Sequence, residues 1–457
     1  MRLLARLLAF IAAFSLSVQY AAAQSVLRDA ETEALFQDLA NPLVEAAGLP
    51  RGNVNVVLLN DPSINAFVAG GQAIYIHSGL INAADDANEV QGVIAHELGH
   101  ITGGHVIRFD EGAKTAGNIT ILSLLLGVAA AAAGSPDAAI GVLAAGQQAA
   151  MGKFLAFTRA QESSADVAGA EFLSKAGISG RGSIDFFKKL QNLEFRHGYS
   201  QDDEATFSRT HPLTGDRIAT LRGIYERDPA WNKPEDPGLQ ERFLRIRAKL
   251  YGYLAEPQQT LIAYPPTDNS IPAHYARAYA YHKEAFVGKA LAETAALIAT
   301  EPENPYFLEL QGQILLESGR PDEALPVLRK ATRLTGNNPL IGTIFGHALV
   351  ATENPDNYPE AERVLKAAVT RDRDSPFAWY QLGVVYAAQG DLPRAKLASA
   401  EQQALNGRFP EALQNAEAAA AALPQGSADW LRAKDITMQA KAALEDKKKK
   451  RKSKQDG

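Results

Sequence analysis

Two short runs of aliphatic and β-branched residues predict a small β-sheet early in the chain. Residues 54–59 (Val-Asn-Val-Val-Leu-Leu) and 73–76 (Ala-Ile-Tyr-Ile) each fit a strand, and the residues between them contain turn formers. Downstream, residues 86–89 (Asp-Ala-Asn-Glu) have the arrangement of a helix N-cap. This stretch predicts a helix that runs to about His105.

A long apolar region follows the predicted capped helix. Residues 119–133 and 138–151 form two apolar arms, and the Gly-Ser-Pro-Asp stretch between them fits a turn. Each arm is shorter than the roughly 20 residues that span a bilayer. The pattern predicts a helical hairpin over residues 119–151. Three roles stay open for it: a buried hairpin over the active site, a plate that binds a membrane surface or a partner, and a transmembrane hairpin.

The second half of the chain repeats with a period near 34 residues, which is typical of tetratricopeptide repeats. A Trp-x-x-Leu-Gly-x-x-Tyr pattern begins at Trp379, and it matches the first helix of that repeat. The Gly-Arg turns at residues 319–320 and 407–408 each precede a second helix. Four prolines open the helical segments: Pro272, Pro305, Pro339 and Pro376.

Composition marks the ends of the chain and the boundary between its halves. Residues 1–23 have a basic start, a short apolar stretch and a terminal Ala-Ala-Ala, which together predict a cleaved signal peptide. The Pro-rich stretch 231–238 predicts a linker between a domain at 24–230 and a repeat domain at 239–445. Residues 446–457 are rich in lysine and predict a disordered basic tail, with contact to anionic lipid or an acidic partner as the alternative.

Cysteine content and charge limit the chemistry that the chain can perform. The chain has no Cys, so disulfides, thiolate metal sites and a cysteine nucleophile are excluded. Any metal must be held by His and carboxylates, which favours a catalytic site. The net charge is −6 although the tail is basic, and an acidic body argues against nucleic acid as a partner. An exported chain without Cys fits the bacterial periplasm.

The strongest chemical signal is the motif His96-Glu97-Leu98-Gly99-His100 on the predicted capped helix. Two imidazoles four residues apart lie on one face of a helix and can bind one ion. Glu97 lies about 100° around the helix from His96, which suits a general base that takes a proton from water. Gly99 allows another element to approach the helix closely. The motif predicts a zinc site with His96 and His100 as ligands.

A catalytic zinc ion needs a third protein ligand. His105 lies nearby, but on a continuing helix it is about 140° around from the second imidazole, so a structural or supporting role fits it better. Residues 159–177 predict a further helix, on which Glu162 and Asp166 share a face. Glu162 is the better third ligand, and Asp166 can hydrogen-bond the outer nitrogen of a ligating His.

These two segments together resemble the gluzincin family of the CAAX prenyl endopeptidase and the HtpX peptidase. The resemblance covers residues 54–217, and the exported form with C-terminal repeats is similar to the periplasmic BepA-type branch of that family. It implies one zinc ion per chain and the ligand, base and orienting roles given above. The chain departs from the family at Ala69, where members often carry Pro before the paired glycines.

The same resemblance implies two further features. Asn65, Gly70 and Gly71 lie in a segment that resembles the edge strand preceding the zinc helix, and an extended substrate would pair with it. His211 lies in a segment similar to the late His-Pro segment of the family, where a His can reach the zinc ion. A self-inhibitory switch, a transition-state contact and a structural role stay open for His211. Arg217 pairs with an acidic residue or stabilises an oxyanion.

The expected fold is α+β and mainly α: a gluzincin-type metallopeptidase domain with a small β-sheet, followed by an α-helical tetratricopeptide-repeat solenoid. The expected function is zinc-dependent endopeptidase activity in the bacterial periplasm on misfolded or stalled envelope and outer-membrane proteins. The repeats would recruit substrate or the outer-membrane assembly machinery, and peripheral membrane contact stays open. The alternative is a chaperone or assembly adaptor with a self-inhibited protease site. An integral-membrane prenyl-protein peptidase is disfavoured, since it needs several long apolar spans.

Overall fold

Strands and helices mix in the first half of the chain, whereas the second half is helical. The predicted signal peptide lies outside the residues that the structure describes. The two halves form two units: unit 1 comprises Met1–Leu27 and Phe36–Gln240, and unit 2 comprises Arg28–Leu35 and Glu241–Gly457. The predicted fold class is confirmed. The computed structural model describes residues 25–105, 114–115, 117–126, 136–197, 211 and 215–453.

The sheet of unit 1 has the strand order β1-β2-β4-β3. Strands β2 and β4 are parallel, and the two outer pairs are antiparallel. Ile74 and Ile76, two residues apart on β4, are fully buried, as expected for a sheet that packs one face into a core. Both predicted strands are confirmed. The strand bounds are β1 (Ser25–Leu27), β2 (Asn55–Asn60), β3 (Ala66–Ala69) and β4 (Ala73–His77).

The predicted substrate strand differs from the observed one. The resemblance implies an edge strand that includes Asn65, Gly70 and Gly71, but two strands lie in this segment, and of these two β3 is at the sheet edge. Gly70 and Gly71 form the turn between them, with φ of 62° and 102°, a conformation that residues with a Cβ rarely adopt. Asn65 precedes β3, and its carbonyl accepts a hydrogen bond from the His77 N–H at 3.0 Å. The strand assignment of the two glycines is therefore wrong.

Helix α3 begins at the predicted cap and lies inside unit 1. The Asp86 side chain accepts a hydrogen bond from the Glu89 N–H at 2.7 Å, and the helix ends at Thr102, slightly before the predicted end. Its residues from Ala87 to His100 are all buried, and it contacts α4, α5, β3 and β4. Helix α1 (Ala30–Ala46) begins in unit 2 and continues into unit 1. The further helices of unit 1 are α2 (Ser78–Ala83), α3 (Ala87–Thr102), α4 (Pro136–Ala176), α5 (Arg181–His197) and α6 (Gly215–Tyr225).

Helices α3 and α4 touch through their backbones at two glycines. A Cβ added to Gly99 on α3 would lie 2.5 Å from the Ala165 carbonyl oxygen on α4. A Cβ added to Gly169 on α4 would lie 2.9 Å from the Ala95 carbonyl oxygen on α3. The close approach predicted for Gly99 is confirmed, and the element that approaches is the helix that carries Glu162.

Helix α4 is much longer than the sequence predicts. The predicted start at Arg159 is wrong, because the helix begins at Pro136 and continues to Ala176. Alanine, leucine, glutamine and methionine fill much of its first half, and all four are strong helix formers. The first half is the second predicted apolar arm, and residues 117–126 form the first arm as a separate helical stretch.

The two apolar arms do not form a buried hairpin. Large aliphatic side chains are exposed on both arms, so the expectation that they are buried over the active site is wrong. Within the described ranges, no helix has both the length and the apolar character needed to cross a membrane.

Unit 2 is a succession of helices, and from the helix at Pro257–Ala263 onward each packs against the next. The predicted prolines lie in the first turn of the helices that begin at Ile271, Pro305, Pro339 and Pro376. An N–H in the first turn has no partner within the helix, so proline costs no hydrogen bond there. The predicted repeat architecture is confirmed. The helices are α7 (Pro237–Leu254), α8 (Pro257–Ala263), α9 (Ile271–Lys283), α10 (Val287–Thr300), α11 (Pro305–Glu317), α12 (Pro321–Leu334), α13 (Pro339–Ala351), α14 (Tyr358–Arg371), α15 (Pro376–Ala388), α16 (Leu392–Leu405), α17 (Phe409–Ala422) and α18 (Ala428–Ser453).

Both ends of unit 2 differ from the sequence expectation. Residues 28–35 belong to it because Glu31, which is fully buried, accepts hydrogen bonds from Arg245 and Tyr275, each at 2.7 Å. Helix α18 continues through the lysine-rich segment to Ser453, where the sequence predicts a disordered tail. Lysine has a high helix propensity, and the preceding Ala-rich turns extend into it.

Replacing Gly99 by Ala is expected to weaken both folding and metal binding, because the added Cβ must push α3 away from α4. We expect a loss of about 1–3 kcal/mol in the free energy of unfolding. The matched control is Gly152→Ala on α4, where an added Cβ meets no atom within 4 Å. Thermal unfolding and the zinc content of the purified protein are the measurements. Equal stability and zinc content in the two variants would contradict this role of the contact.

Candidate metal centre

Three elements of unit 1 bring the candidate residues together. Helix α3 provides the two imidazoles of the motif and Glu97, and helix α4 provides Glu162 and Asp166 one turn apart. His211 lies shortly before α6, and α6 provides Arg217. Within each helix, the spacing of four residues places the paired side chains on one face.

The nitrogen and oxygen donors converge on one small volume. The Nε2 atoms of His96 and His100 are 3.2 Å apart. Glu162 Oε2 lies 3.4 Å from the first of these atoms, and Glu162 Oε1 lies 3.4 Å from the second. His211 Nδ1 lies 3.2 Å from His96 Nε2 and 3.0 Å from both oxygens of Glu162. All four side chains are buried. The structure thus places the three residues predicted as ligands together, with His211 as a fourth donor.

The spacing of these donors fits a tetrahedral divalent ion. Metal–nitrogen bonds of about 2.0–2.1 Å separate neighbouring tetrahedral ligands by about 3.3 Å. The donor separations of 3.0–3.4 Å match that edge. Imidazole and carboxylate donors suit zinc and similar transition metals.

Glu97 lies beside the donor group without a hydrogen-bond partner among the described residues. It is 1 % exposed, and neither of its carboxylate oxygens accepts a hydrogen bond there. Burying a carboxylate without donors is unfavourable, so its position fits a group that meets a partner during a reaction. His211 Nε2 lies 3.6 Å from Glu97 Oε1. The His211 ring therefore stands between Glu97 and the other donors.

An outer layer of charged groups holds the donor residues in place. Asp166 Oδ1 lies 3.0 Å from His96 Nδ1, the ring nitrogen that points away from the donor group. Arg217 donates two hydrogen bonds to Asp166, from Nε at 2.7 Å and from Nη2 at 2.8 Å. Its Nη1 lies 3.2 Å from Glu162. The expected pairing of Arg217 with acidic residues is confirmed, and it links both carboxylates of α4.

His105 supports the second imidazole instead of joining the donor group. Its Nδ1 lies 2.9 Å from His100 Nδ1, and its Nε2 lies 3.0 Å from the Ser164 hydroxyl. Sequence reasoning missed Ser164, although its place between the two carboxylates of α4 could have indicated it. It also missed Phe187, whose ring meets the His96 ring edge to face at 6.2 Å. No spacing signal connects Phe187 to the motif.

Burial and charge act in opposite directions on the pKa values of the site. Burial lowers the pKa of His96, but the nearby Asp166 and Glu162 outweigh this effect and raise it to about 10. Burial raises the pKa of Glu162, but the three imidazoles around it hold that pKa well below its usual range. The pKa of His100 is lowered, chiefly by burial. Because a metal binds the neutral imidazole, metal binding is coupled to proton release from His96.

Comparisons with known proteins agree with this geometry. Peptidase family M48 matches residues 27–225, and the tetratricopeptide repeat matches residues 273–339 and 354–405. The "Beta-barrel assembly-enhancing protease" of Yersinia pestis is 26 % identical over 405 residues, which are 86 % of this chain and 80 % of that protein. The protein of the same name from Escherichia coli (strain K12) is 26 % identical, with 86 % and 79 % covered. "Metalloprotease LoiP" of that strain is 32 % identical over 37 % of this chain and 61 % of its own length.

Replacing Asp166 by Asn is expected to reduce zinc affinity by about 10–100-fold, because the neutral amide no longer fixes the His96 ring and leaves Arg217 without its bidentate partner. Asp185→Asn on α5 is the matched control, since Asp185 is exposed and pairs with Lys188. Competition with a zinc chelator measures the affinity. Unchanged affinity in a normally folded Asp166→Asn protein would show that Asp166 does not position the ligand.

Proposed function

Because the chain is a metalloendopeptidase with a peptidase family M48 domain and C-terminal tetratricopeptide repeats, we propose that it cleaves unfolded or misassembled envelope proteins at a zinc centre. His96, His100 and Glu162 are the zinc ligands in this proposal. Glu97 is the general base. The observation that carries the proposal is the buried Glu97 carboxylate, which has no hydrogen-bond donor among the described residues and lies beside a tetrahedral donor group.

Each residue of the site has a separate role in hydrolysis. A bound zinc ion supplies Lewis acidity, which polarises the scissile carbonyl and lowers the pKa of an adjacent water to about 7. Glu97 accepts the proton of the attacking water at a carboxylate oxygen and later returns it to the leaving amine. Asp166 keeps His96 oriented through its outer nitrogen. The apolar Phe187 ring covers one side of His96 and limits the access of bulk water.

The substrate backbone pairs with β3 in this proposal. Strand β3 is at the edge of the described sheet and contacts the helix that carries the motif. An unpaired strand edge binds an extended peptide through main-chain hydrogen bonds. Such recognition depends little on side chains, which suits unfolded polypeptide. Gly70 and Gly71 contribute by forming the tight turn that joins β3 to β4.

The biological setting is proposed from the relatives. Two of them are named for enhancing β-barrel assembly, and these matches cover both the peptidase domain and the repeats. We therefore place the chain in the periplasm, where it would act on stalled outer-membrane proteins. The repeats, which commonly form peptide-binding surfaces, would recruit the substrate or the assembly machinery.

His211 favours a second function in which the protease site is closed. Its Nδ1 belongs to the donor group, and its Nε2 faces Glu97. The ring therefore takes the place that an attacking water needs. In this state the protein would serve as an assembly adaptor or chaperone, and displacement of His211 would switch proteolysis on.

Replacing Glu97 by Gln is expected to retain zinc but to slow casein hydrolysis by at least about a hundredfold, because the amide cannot accept the proton of water. Glu171→Gln, an exposed site on α4, is the matched control and should cleave casein like the wild type. Metal analysis accompanies the assay. Normal hydrolysis by a zinc-loaded Glu97→Gln protein would overturn the proposed mechanism.

Replacing His211 by Ala is expected to raise casein hydrolysis severalfold, because water then reaches the position beside Glu97. His282→Ala in unit 2 is the control, since His282 pairs with Glu317 of the same unit and is not part of the donor group. A fall in the hydrolysis rate would instead assign His211 to the transition state. If the rate does not change and Glu97→Gln still supports β-barrel assembly, the adaptor function is favoured.

A further inference from the structure

The two apolar arms expose large aliphatic side chains, whereas a helical hairpin in a water-soluble protein buries them. Their large aliphatic side chains point outward; the most exposed of these on the first arm are Ile121, Leu122, Leu124, Leu125 and Leu126, and those on the second are Ile140, Leu143, Met151 and Leu155. A soluble helical hairpin buries such residues and exposes polar ones. The contiguous apolar surface therefore marks a binding surface.

Small residues lie where the two arms meet. Ser123 is buried, and a Cβ added to Gly146 would lie 2.0 Å from the Ser123 Cβ. Ala150, one turn further along α4, is also buried. Helices that pack together in lipid have this arrangement: small residues lie at the helix–helix contact, and large aliphatic residues lie on the outer surface.

Basic residues border the apolar surface on one side. Among the described residues 114–126 and 140–161, the charged side chains are Lys114, Lys153 and Arg159, and all three are exposed. In the antiparallel hairpin that the sequence predicts, Lys114 and Lys153 lie at the same end, nine and seven residues from the Ser123–Gly146 contact. Lysines at the border of an apolar helix reach the phosphate level of a membrane.

The direction of the exposed side chains separates a lipid surface from a protein partner. Leu124, Leu125 and Leu126 are consecutive and each more than half exposed, and consecutive helical residues are about 100° apart. A protein groove covers one stripe of a helix at spacings of three and four residues. Lipid tails contact a helix on every side that another helix does not cover.

We propose that this apolar hairpin, defined as residues 117–126 and 140–155, inserts into a bilayer that contains anionic phospholipid, with Lys114 and Lys153 at the headgroups. The described part of the first arm is about 15 Å long, half the hydrocarbon thickness of a bilayer. Helix α4 continues from this hairpin to Glu162, nine residues or about 14 Å beyond Lys153. Insertion therefore holds the donor group close to the membrane surface.

Vesicle sedimentation of the full chain tests the proposal. The wild type is expected to sediment with phosphatidylcholine vesicles that contain phosphatidylglycerol, and less with phosphatidylcholine alone. The double variant Leu124→Gln/Leu125→Gln should partition at least about tenfold more weakly, because two aliphatic side chains no longer transfer into lipid. Ile262→Gln, at an 80 % exposed site in unit 2, is the control. Casein hydrolysis should be equal in all three proteins, which verifies the fold.

A fluorescent label gives an independent measurement of insertion. Because the chain has no Cys, Leu125→Cys and Ile262→Cys each accept one environment-sensitive dye. Vesicles should shift the emission of the dye at residue 125 to the blue and expose it to quenchers on the acyl chains, but leave the dye at residue 262 unchanged.

Three outcomes would overturn the proposal. The first is a wild type that sediments with neither kind of vesicle. The second is equal vesicle binding by the wild type and the double variant. The third is a wild-type dimer that the double variant converts to a monomer without any effect of vesicles, which would make a second copy of the chain the occupant of the surface.

Discussion

The active centre depends on the backbone contact between α3 and α4. Gly99 meets Ala165 and Gly169 meets Ala95 at distances that leave no room for a Cβ. Side chains that leave the facing sides of two helices in such close contact can reach one ion. The single-turn spacings on each helix then complete the site, since each helix presents two functional groups on the same face.

An unequal distribution of hydrogen bonds prepares this site for catalysis. Glu162 and Asp166 are surrounded by imidazoles and Arg217, and both have a lowered pKa although burial alone raises it. Glu97, on the neighbouring helix α3, accepts no hydrogen bond from the described residues. Two carboxylates are thus held as fixed anions, while the third remains available to take up a proton. A cluster of three equally paired carboxylates could not perform both tasks.

The sequence predicts the residues of the metal centre more completely than the helices and strands around them. A motif such as that of His96 and His100 depends only on the helical period, and the pairing of Glu162 with Asp166 follows the same rule. Gly70 and Gly71 were misplaced because a β-hairpin and a continuous strand share the same alternation. The start of α4 was misplaced because no capping residue or helix breaker separates an exposed arm from a functional helix. Glu31 could not be placed in unit 2, since its partners lie more than 200 residues away.

The length of α4 connects the two proposals of function and location. One unbroken helix carries the exposed aliphatic arm at its start and Glu162 and Asp166 near its end, so no flexible linker separates the proposed membrane contact from the donor group. A helix is stiff over this length, and its rise per residue converts a sequence separation into a distance. A site held at a fixed height above a bilayer encounters polypeptide that emerges from that bilayer or waits to enter it. In the proposed function, a β-barrel precursor that stalls at the membrane is such a polypeptide, and its unpaired strands would pair with the edge of β3.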